Sequence, residues 1–360
     1  MKILYGVQGT GNGHITRARA LNRELKSLGA SIDFIFSGRD ADSYFALEEF
    51  THRSFQHGLR LAFAQGKVDI AQTWHKNNLA LVYNEIHTIN TRDYDLVISD
   101  FEPVTAWAAK LQHQHCLTIG HQYAFLYDIP KVNNTLLNRH LLKSVAPSPL
   151  NIGLHWHHFN QPILPPILQN LSTATREQGY YLVYLPFEDR QDIIDFLDPF
   201  ESETFICFGP YDSVEKINNI IFRPCSSVDF HPTLCGAQGV ICNAGFELTS
   251  EALHLGIKLL IKPLHGQMEQ LSNGRALIEL GLGLCMSTLD AKYLAYWLDN
   301  FQPRQIIYPK VAHAIAQWVV SGAFSAKNST YEVALLAKQL WENTDFSHTP
   351  WLKSKIQRVA

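Results

Sequence analysis

Residues 238–273 read QGVICNAGFELTSEALHLGIKLLIKPLHGQMEQLSN, and this stretch decides the fold. It begins with a short apolar run, Gly239 to Cys242, of the kind that forms a buried strand. Apolar residues at helical spacing follow, and they end at Gly256, where a glycine is typical just past a helix. A second apolar run, 257–261, stops at Pro263. The order strand, helix, strand predicts one βαβ unit of a parallel sheet.

The start of the predicted helix suits a nucleotide. A helix that begins just after Gly245 presents free backbone N–H groups and a partial positive charge, which favour a phosphate or a diphosphate. Glu251 follows about five residues into this helix, roughly 7–8 Å along its axis. That distance matches the step from the phosphates of a nucleotide to its ribose, whose two hydroxyls can donate to one carboxylate. We therefore expect Gly245, Phe246, Glu247 and Glu251 to bind a nucleotide.

A dense set of polar side chains follows the second strand. Because ligands of open α/β sheets bind at the carboxyl ends of the strands, we expect this set to lie at the same ligand site. Its members are His265, Gln267, Glu269, Gln270 and Asn273.

These residues resemble a known pattern. Gly-x5-Glu-Ala, then a small apolar strand, then His-x3-Glu-Gln-x2-Asn, resembles the donor-binding half of GT-B glycosyltransferases. The segments GNGHITRA (residues 11–18) and SDFEP (99–103) carry the resemblance into the first half of the chain. The chain is most similar to a bacterial and archaeal glycosyltransferase family related to the enzyme that completes lipid II, and to plant UDP-glucosyltransferases. The resemblance implies an α/β protein of the GT-B fold, with two Rossmann-like domains facing across a cleft.

A length of 360 residues suits two domains of ordinary size. We expect residues 1–150 to form an N-terminal acceptor domain and residues 151–327 to form the C-terminal nucleotide-sugar donor domain. The proline-rich segment QPILPPIL, 161–168, is the best candidate for a linker. In GT-B proteins a terminal helix packs back on the first domain, and the amphipathic stretch at about 328–345 suits that role.

The amino-terminal strand, Lys2 to Val7, ends in a glycine-rich loop with the sequence QGTGNG. In GT-B enzymes this loop faces the cleft near the donor diphosphate, which brings Gly11 and Gly13 into the predicted donor site. The resemblance also makes His14 the candidate general base that accepts the proton of the acceptor hydroxyl. The alternative is a histidine that only forms hydrogen bonds with the loop.

Asp100 follows a clean apolar strand, 95–99, and precedes Pro103, which can open a helix. An aspartate at this strand end orients the catalytic histidine in plant UDP-glucosyltransferases, so the resemblance implies a His14–Asp100 dyad. The alternative for Asp100 is an acid that caps the helix. If His14 is not the base, Glu102 and His121 are the next candidates.

The GT-B resemblance also places Val228 and Phe230 beside the uracil of the donor. For both residues, packing in the core is an equally good interpretation.

Composition excludes several classes of function. The 33 acidic and 30 basic residues leave a net charge of −3, which gives no general attraction to nucleic acid. The six cysteines form no C-x-x-C pair, so we interpret them as free thiols of a reducing compartment. The amino end is too short and polar for a signal peptide, and we expect no transmembrane segment, because no run reaches about 18 apolar residues. We expect a cytoplasmic protein, with peripheral membrane contact left open.

The seventeen histidines show no spacing typical of zinc sites. GT-B enzymes generally work without a bound metal, and we expect neither a metal nor a cofactor here. The leading hypothesis is transfer of a sugar from a UDP-sugar to an unidentified hydroxyl acceptor, with inversion; the acceptor could be a saccharide, a lipid-linked molecule or a small molecule. One alternative is a UDP-sugar 2-epimerase of the same fold that uses Glu247 and Glu269. Another is a sensor that binds nucleotide sugars without catalysis.

Overall fold

The alternation of apolar and amphipathic segments builds two sheets of mainly parallel strands. The computed structural model describes residues 1–44, 47–60, 63–64, 67–68, 77–132, 136–169, 179–225 and 227–352. The first sheet has six parallel strands in the order β3-β2-β1-β6-β7-β8. These strands are β1 (Lys2–Gln8), β2 (Ser31–Ser37), β3 (Arg53–Gln56), β6 (Leu96–Asp100), β7 (Cys116–Gly120) and β8 (Leu150–Gly153). A short antiparallel hairpin lies outside this sheet and consists of β4 (Phe63–Ala64) and β5 (Lys67–Val68).

The second sheet has seven strands in the order β11-β12-β10-β9-β13-β14-β15. Only β11 runs antiparallel to its neighbour. The strands are β9 (Tyr180–Tyr184), β10 (Thr204–Gly209), β11 (Glu215–Ile217), β12 (Ile220–Pro224), β13 (Gly239–Cys242), β14 (Lys258–Ile261) and β15 (Leu284–Cys285).

Helices connect the strands and cover both sheets. In chain order they are α1 (Asn12–Ser27), α2 (Leu79–Thr88), α3 (Pro103–Leu111), α4 (Leu136–Val145), α5 (Arg190–Leu197), α6 (Ser227–Gly236), α7 (Phe246–Leu255), α8 (Met268–Leu280), α9 (Ala291–Asn300), α10 (Val311–Val320) and α11 (Ser329–Glu342). Shorter 3₁₀ turns lie at Ala41–Ser43, His121–Leu126 and Ala323–Ser325.

The βαβ prediction for residues 239–261 is confirmed. Strand β13, helix α7 and strand β14 follow in that order, and β13 and β14 pair in parallel. Gly256 adopts the left-handed conformation with φ of 68° and ends α7, as expected for a capping glycine. Both strands are buried along their full length, since helices cover the two faces of a parallel sheet.

The chain turns just after β3, at the edge of the first sheet. Gly58 has a φ of 58°. The carboxylate of Glu85 accepts the backbone N–H groups of His57 and Gly58, at 2.5 and 3.1 Å, so a residue of α2 stabilises this turn.

The proline-rich segment 161–168 is extended and packed rather than loose. Ile163, Leu164 and Ile167 are fully buried, and the carbonyl of Ile163 accepts the indole N–H of Trp341 from α11 at 2.6 Å. Helix α11 contacts strand β8, and the preceding helix α10 lies along α1.

Strand β8 continues the first sheet past residue 150, and the largest apolar cluster includes side chains of both sheets. The division of the chain into domains stays a prediction.

Candidate donor and catalytic site

The carboxyl ends of the two sheets face each other across a cleft with a cavity of about 320 Å³. Helices α1 and α7 both begin at this cavity, so two sets of free backbone N–H groups point towards it. From the first half of the chain the lining residues are Thr10 to Arg17, Arg19, Phe101, His121 and Gln122. From the second half they are Tyr184, Pro186, Phe187, Cys225, Phe230, His231, Asn243, Gly245 to Leu248, Glu251, Gln267, Glu269 and Gln270.

Glycines leave room for a ligand at the two helix starts. Gly11 immediately precedes α1 and Gly245 immediately precedes α7. A Cβ atom added to either residue would meet nothing within 4 Å. A phosphate can therefore approach both helix ends closely, and the dipoles of the helices favour its negative charge.

Glu251 lies one and a half turns into α7, where the sequence predicts a ribose ligand. Its side chain is 4% exposed and lines the cavity. Its Oε1 atom has no hydrogen-bond partner among the described residues. Burial, with a smaller contribution from the charge of Glu247, raises the pKa of Glu251 to about 8. The residue thus offers an unused acceptor to a ligand hydroxyl.

Glu247 stands at the start of α7 and reaches across the cleft. One of its oxygens accepts from the guanidinium of Arg17, while Oε2 has no partner among the described residues. Burial is the main reason that the pKa of Glu247 rises to about 7. The charges of Asp100 and Glu269 raise it further, and Arg17 opposes them.

His14 lines the cavity, and the buried Asp100 lies directly behind it. Nδ1 of His14 is 2.7 Å from Oδ1 of Asp100, whose side chain is fully buried at the end of β6. Burial alone would raise the pKa of Asp100, but the charges of Arg17 and His14 outweigh it and hold this pKa below its usual value. The pair has the geometry in which a carboxylate fixes the tautomer of an imidazole.

The alternative interpretation of Asp100 as a helix cap is wrong. Glu102 caps α3, since its carboxylate accepts the backbone N–H groups of Val104 and Thr105 at 2.8 and 2.7 Å. The same carboxylate accepts the hydroxyls of Ser37 and Thr105. Glu102 is therefore fully engaged, and it is a poor candidate for the base.

The sequence model of the family described as glycosyl transferase family 1 matches residues 1–302. The chain belongs to that family. The protein is therefore a glycosyltransferase, and no curated protein matches it in sequence.

Solved structures of glycosyltransferases share its fold. SnogD from Streptomyces nogalater is 15% identical, with a TM-score of 0.52 over 93% of this chain and 99% of its own. SsfS6 from Streptomyces sp. SF2575, complexed with thymidine diphosphate, is 11% identical, with a TM-score of 0.60 over 89% of this chain and 99% of its own. The spinosyn rhamnosyltransferase SpnG, also complexed with thymidine diphosphate, is 11% identical, with a TM-score of 0.55 over 95% and 96%. The glycosyltransferase has the GT-B fold that the sequence predicts.

The structure brings most of the predicted site residues to one cavity. Gly11, Gly13, His14, Phe230, Gly245, Phe246, Glu247, Glu251, Gln267, Glu269 and Gln270 all line it. Phe230 also packs edge-on against Tyr184 and Phe208, so it both lines the cavity and belongs to the core. Val228 lies in helix α6, and its side chain is outside the described part of the structure.

His265 and Asn273 are placed elsewhere. His265 is absent from the cavity wall, and its Nε2 atom lies 3.0 Å from the carbonyl oxygen of Ser287. Asn273 is fully buried and donates to the carbonyl of Ala244 at 2.9 Å. Both residues follow strand β14, as the spacing requires, His265 in the loop just before Gly266 and Asn273 inside α8.

Sequence reasoning missed Arg17 and Gln122. Arg17 lies one helical turn beyond His14, a spacing that places the two side chains on one face of α1. Gln122 donates to Glu269 across the cleft at 3.1 Å, and its Oε1 atom has no partner among the described residues. The spacing within GNGHITRA could have identified Arg17, whereas the contact of Gln122 depends on how the two halves meet.

In the described part of the glycosyltransferase, no group of three or more His, Cys, Asp or Glu side chains is arranged to hold a metal ion. None of the helices within that part is long and apolar enough to cross a membrane.

Proposed function

We propose that this glycosyltransferase moves a sugar from a UDP-sugar to a hydroxyl group of an acceptor, in one displacement that inverts the anomeric carbon. One observation carries the proposal. His14, whose ring contacts the buried Asp100, and the start of α7, with the unused carboxylate of Glu251, line the same cavity. The first can accept a proton from an acceptor, and the second can hold the leaving nucleotide.

The donor would lie along α7. Its diphosphate would accept hydrogen bonds from the backbone N–H groups after Gly245, and its ribose hydroxyls would donate to Glu251. The uracil would lie against Phe230, at the wall formed by the second half. SsfS6 and SpnG, each complexed with thymidine diphosphate, support a nucleoside diphosphate as the ligand of such a cleft.

The sugar would occupy the remaining polar space. Glu247 Oε2, Gln267 Oε1 and Gln122 Oε1 are buried acceptors without a partner among the described residues. Sugar hydroxyls are the donors that such oxygens require. Gln270 offers fewer hydrogen bonds to the sugar than its position at the cavity predicts, because its Oε1 atom already accepts the backbone N–H of Leu264 at 2.9 Å.

The chemistry would then proceed in a single step. His14 takes the proton of the acceptor hydroxyl as the acceptor oxygen forms its bond to the anomeric carbon. The bond from that carbon to the β-phosphate oxygen breaks, and its electron pair leaves with UDP. Asp100 steadies the imidazolium that forms, and the amide groups at the start of α7 stabilise the charge on the diphosphate without a metal.

A donor screen with the whole protein tests this proposal. We expect UDP and UDP-sugars to raise the melting temperature, because a ligand that binds the folded state stabilises it by mass action. Glu251→Ala should remove most of that shift, and transfer to a panel of hydroxyl acceptors should follow with the preferred donor.

Three other outcomes would redirect the assignment. A shift of the melting temperature with thymidine diphosphate but not with UDP would contradict uracil as the nucleobase of the donor. Turnover of the UDP-sugar with no acceptor present would favour the epimerase. Binding without turnover under any condition would favour the sensor.

A further inference from the structure

Arg17 is a buried cation placed between the proposed base and the donor helix. Its side chain is 3% exposed. Nε donates to Oδ2 of Asp100 at 2.7 Å, and Nη2 donates to Oδ1 of the same carboxylate at 2.5 Å. Nη1 donates to Glu247, which belongs to the second half of the chain. One guanidinium thus bridges two carboxylates that lie on opposite sides of the cleft.

The two hydrogen bonds from Arg17 to the two oxygens of Asp100, which we call the fork, fix the orientation of the carboxylate. A planar guanidinium that donates through two N–H groups matches the plane of a carboxylate and prevents its rotation. The oxygen that His14 contacts, Oδ1, is one of the two that Arg17 holds. The orientation of the imidazole therefore depends on Arg17 through Asp100.

The bridge to Glu247 ties this arrangement to the donor helix. Glu247 lies in the first turn of α7, and its Cγ atom would be 2.5 Å from a Cβ atom added to Gly13. The first turns of α1 and α7 are thus in direct contact at this point. A movement of α7 would pull on the guanidinium and, through it, on Asp100.

We propose that Arg17 is a positioning residue, which aligns the His14–Asp100 pair and makes that alignment depend on the donor-binding half through Glu247. The inference rests on the proposed function, in which His14 is the base. It adds a residue that acts on the base through Asp100.

A third contact of Arg17 reaches the histidine itself. Nη2 of Arg17 is 3.0 Å from Nδ1 of His14, the ring nitrogen that also faces Oδ1 of Asp100. One guanidinium is therefore in contact with both members of the pair and with Glu247.

Four variants separate geometry from charge. Arg17→Gln removes both the fork and the charge, Arg17→Lys keeps the charge without the fork, and Glu247→Gln removes the opposing carboxylate. Arg23→Gln is the control, since Arg23 lies on the same helix and pairs at the surface with Glu49. Each variant is checked for folding by circular dichroism before kinetics and calorimetry with UDP.

We expect Arg17→Gln to lower kcat by about 10²-fold while the affinity for UDP stays at the parent value, because misplacement of a base by about 1 Å has a cost of that size. Arg17→Lys should also stay below the parent kcat, because it keeps the charge but lacks the fork. Glu247→Gln should lower kcat in the same direction, since it weakens the contact that ties Arg17 to α7, and Arg23→Gln should match the parent.

An Arg17→Gln variant with the parent kcat, or an Arg17→Lys variant that keeps the full parent kcat, would overturn the inference. If Arg17→Gln does not fold, the kcat of Arg17→Lys decides the positioning role. If the parent transfers no sugar, the proposed function fails separately. In that case the ¹⁵N chemical shifts of the His14 ring, which report its tautomer, test the positioning without turnover: equal shifts in the parent and in Arg17→Lys would overturn it.

Discussion

Nε2 of His121 lies 2.6 Å from Oδ1 of Asn273, and this contact joins the two halves of the glycosyltransferase behind the proposed donor site. His121 follows strand β7 of the first sheet, and Asn273 lies in helix α8 of the second half. Nδ1 of His121 is 2.8 Å from the carbonyl of Leu154. With an oxygen at each ring nitrogen, His121 is built into the junction and is poorly placed to act as a general base.

We therefore expect Asn273→Ala to weaken folding without removing the chemistry. The substitution leaves Nε2 of His121 and the carbonyl of Ala244 without their buried partner, a loss of about 1–3 kcal/mol in the free energy of unfolding. Urea unfolding measures the change. Asn300→Ala is the control at an exposed helix end and should shift stability by less than about 0.5 kcal/mol. Equal effects of the two substitutions would contradict a structural role for Asn273.

Glu251→Ala should weaken the binding of UDP by roughly 1–3 kcal/mol, the usual cost of leaving a buried hydrogen-bonding group without its partner. The reason is the buried Oε1 atom, which faces the cavity without a partner among the described residues. Isothermal titration calorimetry measures the change. Glu342→Ala, on the exposed side of α11, serves as the control. A folded Glu251→Ala variant with the parent affinity would remove this residue from the site.

The same carboxyl group predicts how stability depends on pH. The pKa of Glu251 is about 8 in the folded protein, against a usual value of 4.5. Between these values the folded state holds the proton and the unfolded state has released it, so stability decreases as the pH rises from about 4.5 to about 8. The slope from one such group reaches about 1.4 kcal/mol per pH unit.

Glu251→Gln should flatten this decrease, because the amide does not titrate. Urea unfolding of the ligand-free parent and the variant at half-unit steps from pH 5 to pH 9 measures the two slopes. Parallel curves would show that Glu251 titrates near its usual value and that burial does not hold its proton.

The sequence predicts the parts of this site better than their assembly. Glu251 is predictable because its distance from Gly245 along one helix is set by the rise per residue, and the structure keeps both in the cavity. His265 lies in the loop after strand β14, next to Gly266 with its φ of 78°, and it is not part of the cavity wall. Local spacing fixes a position within an element, whereas a loop residue depends on backbone angles that side-chain patterns do not specify.

Contacts between the halves are the least predictable part. The bridge from Arg17 to Glu247 joins residues that lie 230 positions apart. Arginine and glutamate are both common on helix surfaces, and this pair forms only because α1 and α7 meet in the folded protein. The burial of the proline-rich segment 161–168 is equally hard to predict, because it depends on α11, which comes much later in the chain.

Glu102→Ala should destabilise the protein more than it slows the reaction. The carboxylate accepts hydrogen bonds from Ser37, Val104 and Thr105 in a fully buried position, although burial raises its pKa. Loss of the cap alone costs about 0.5–2 kcal/mol, and the unpaired hydroxyls and amides add to that.

Thermal unfolding of Glu102→Ala and of the closer substitution Glu102→Gln measures this effect. If Glu102→Gln keeps the parent stability but loses transfer, the residue has a chemical role that its hydrogen bonds do not predict.

The last prediction concerns the pair on which transfer depends. His14→Ala should retain the affinity for UDP while transfer slows by about 10²–10⁴-fold, the usual contribution of general base catalysis. Asp100→Asn should slow transfer in the same direction, since the amide cannot balance the imidazolium charge. The double variant should be little worse than His14→Ala, because residues that act as one unit share their effect. The acidic limb of the pH–rate profile should be absent in His14→Ala, as protonation of the base sets that limb. Transfer at the parent rate by a folded His14→Ala variant, or losses that multiply in the double variant, would contradict the dyad and leave the base unassigned.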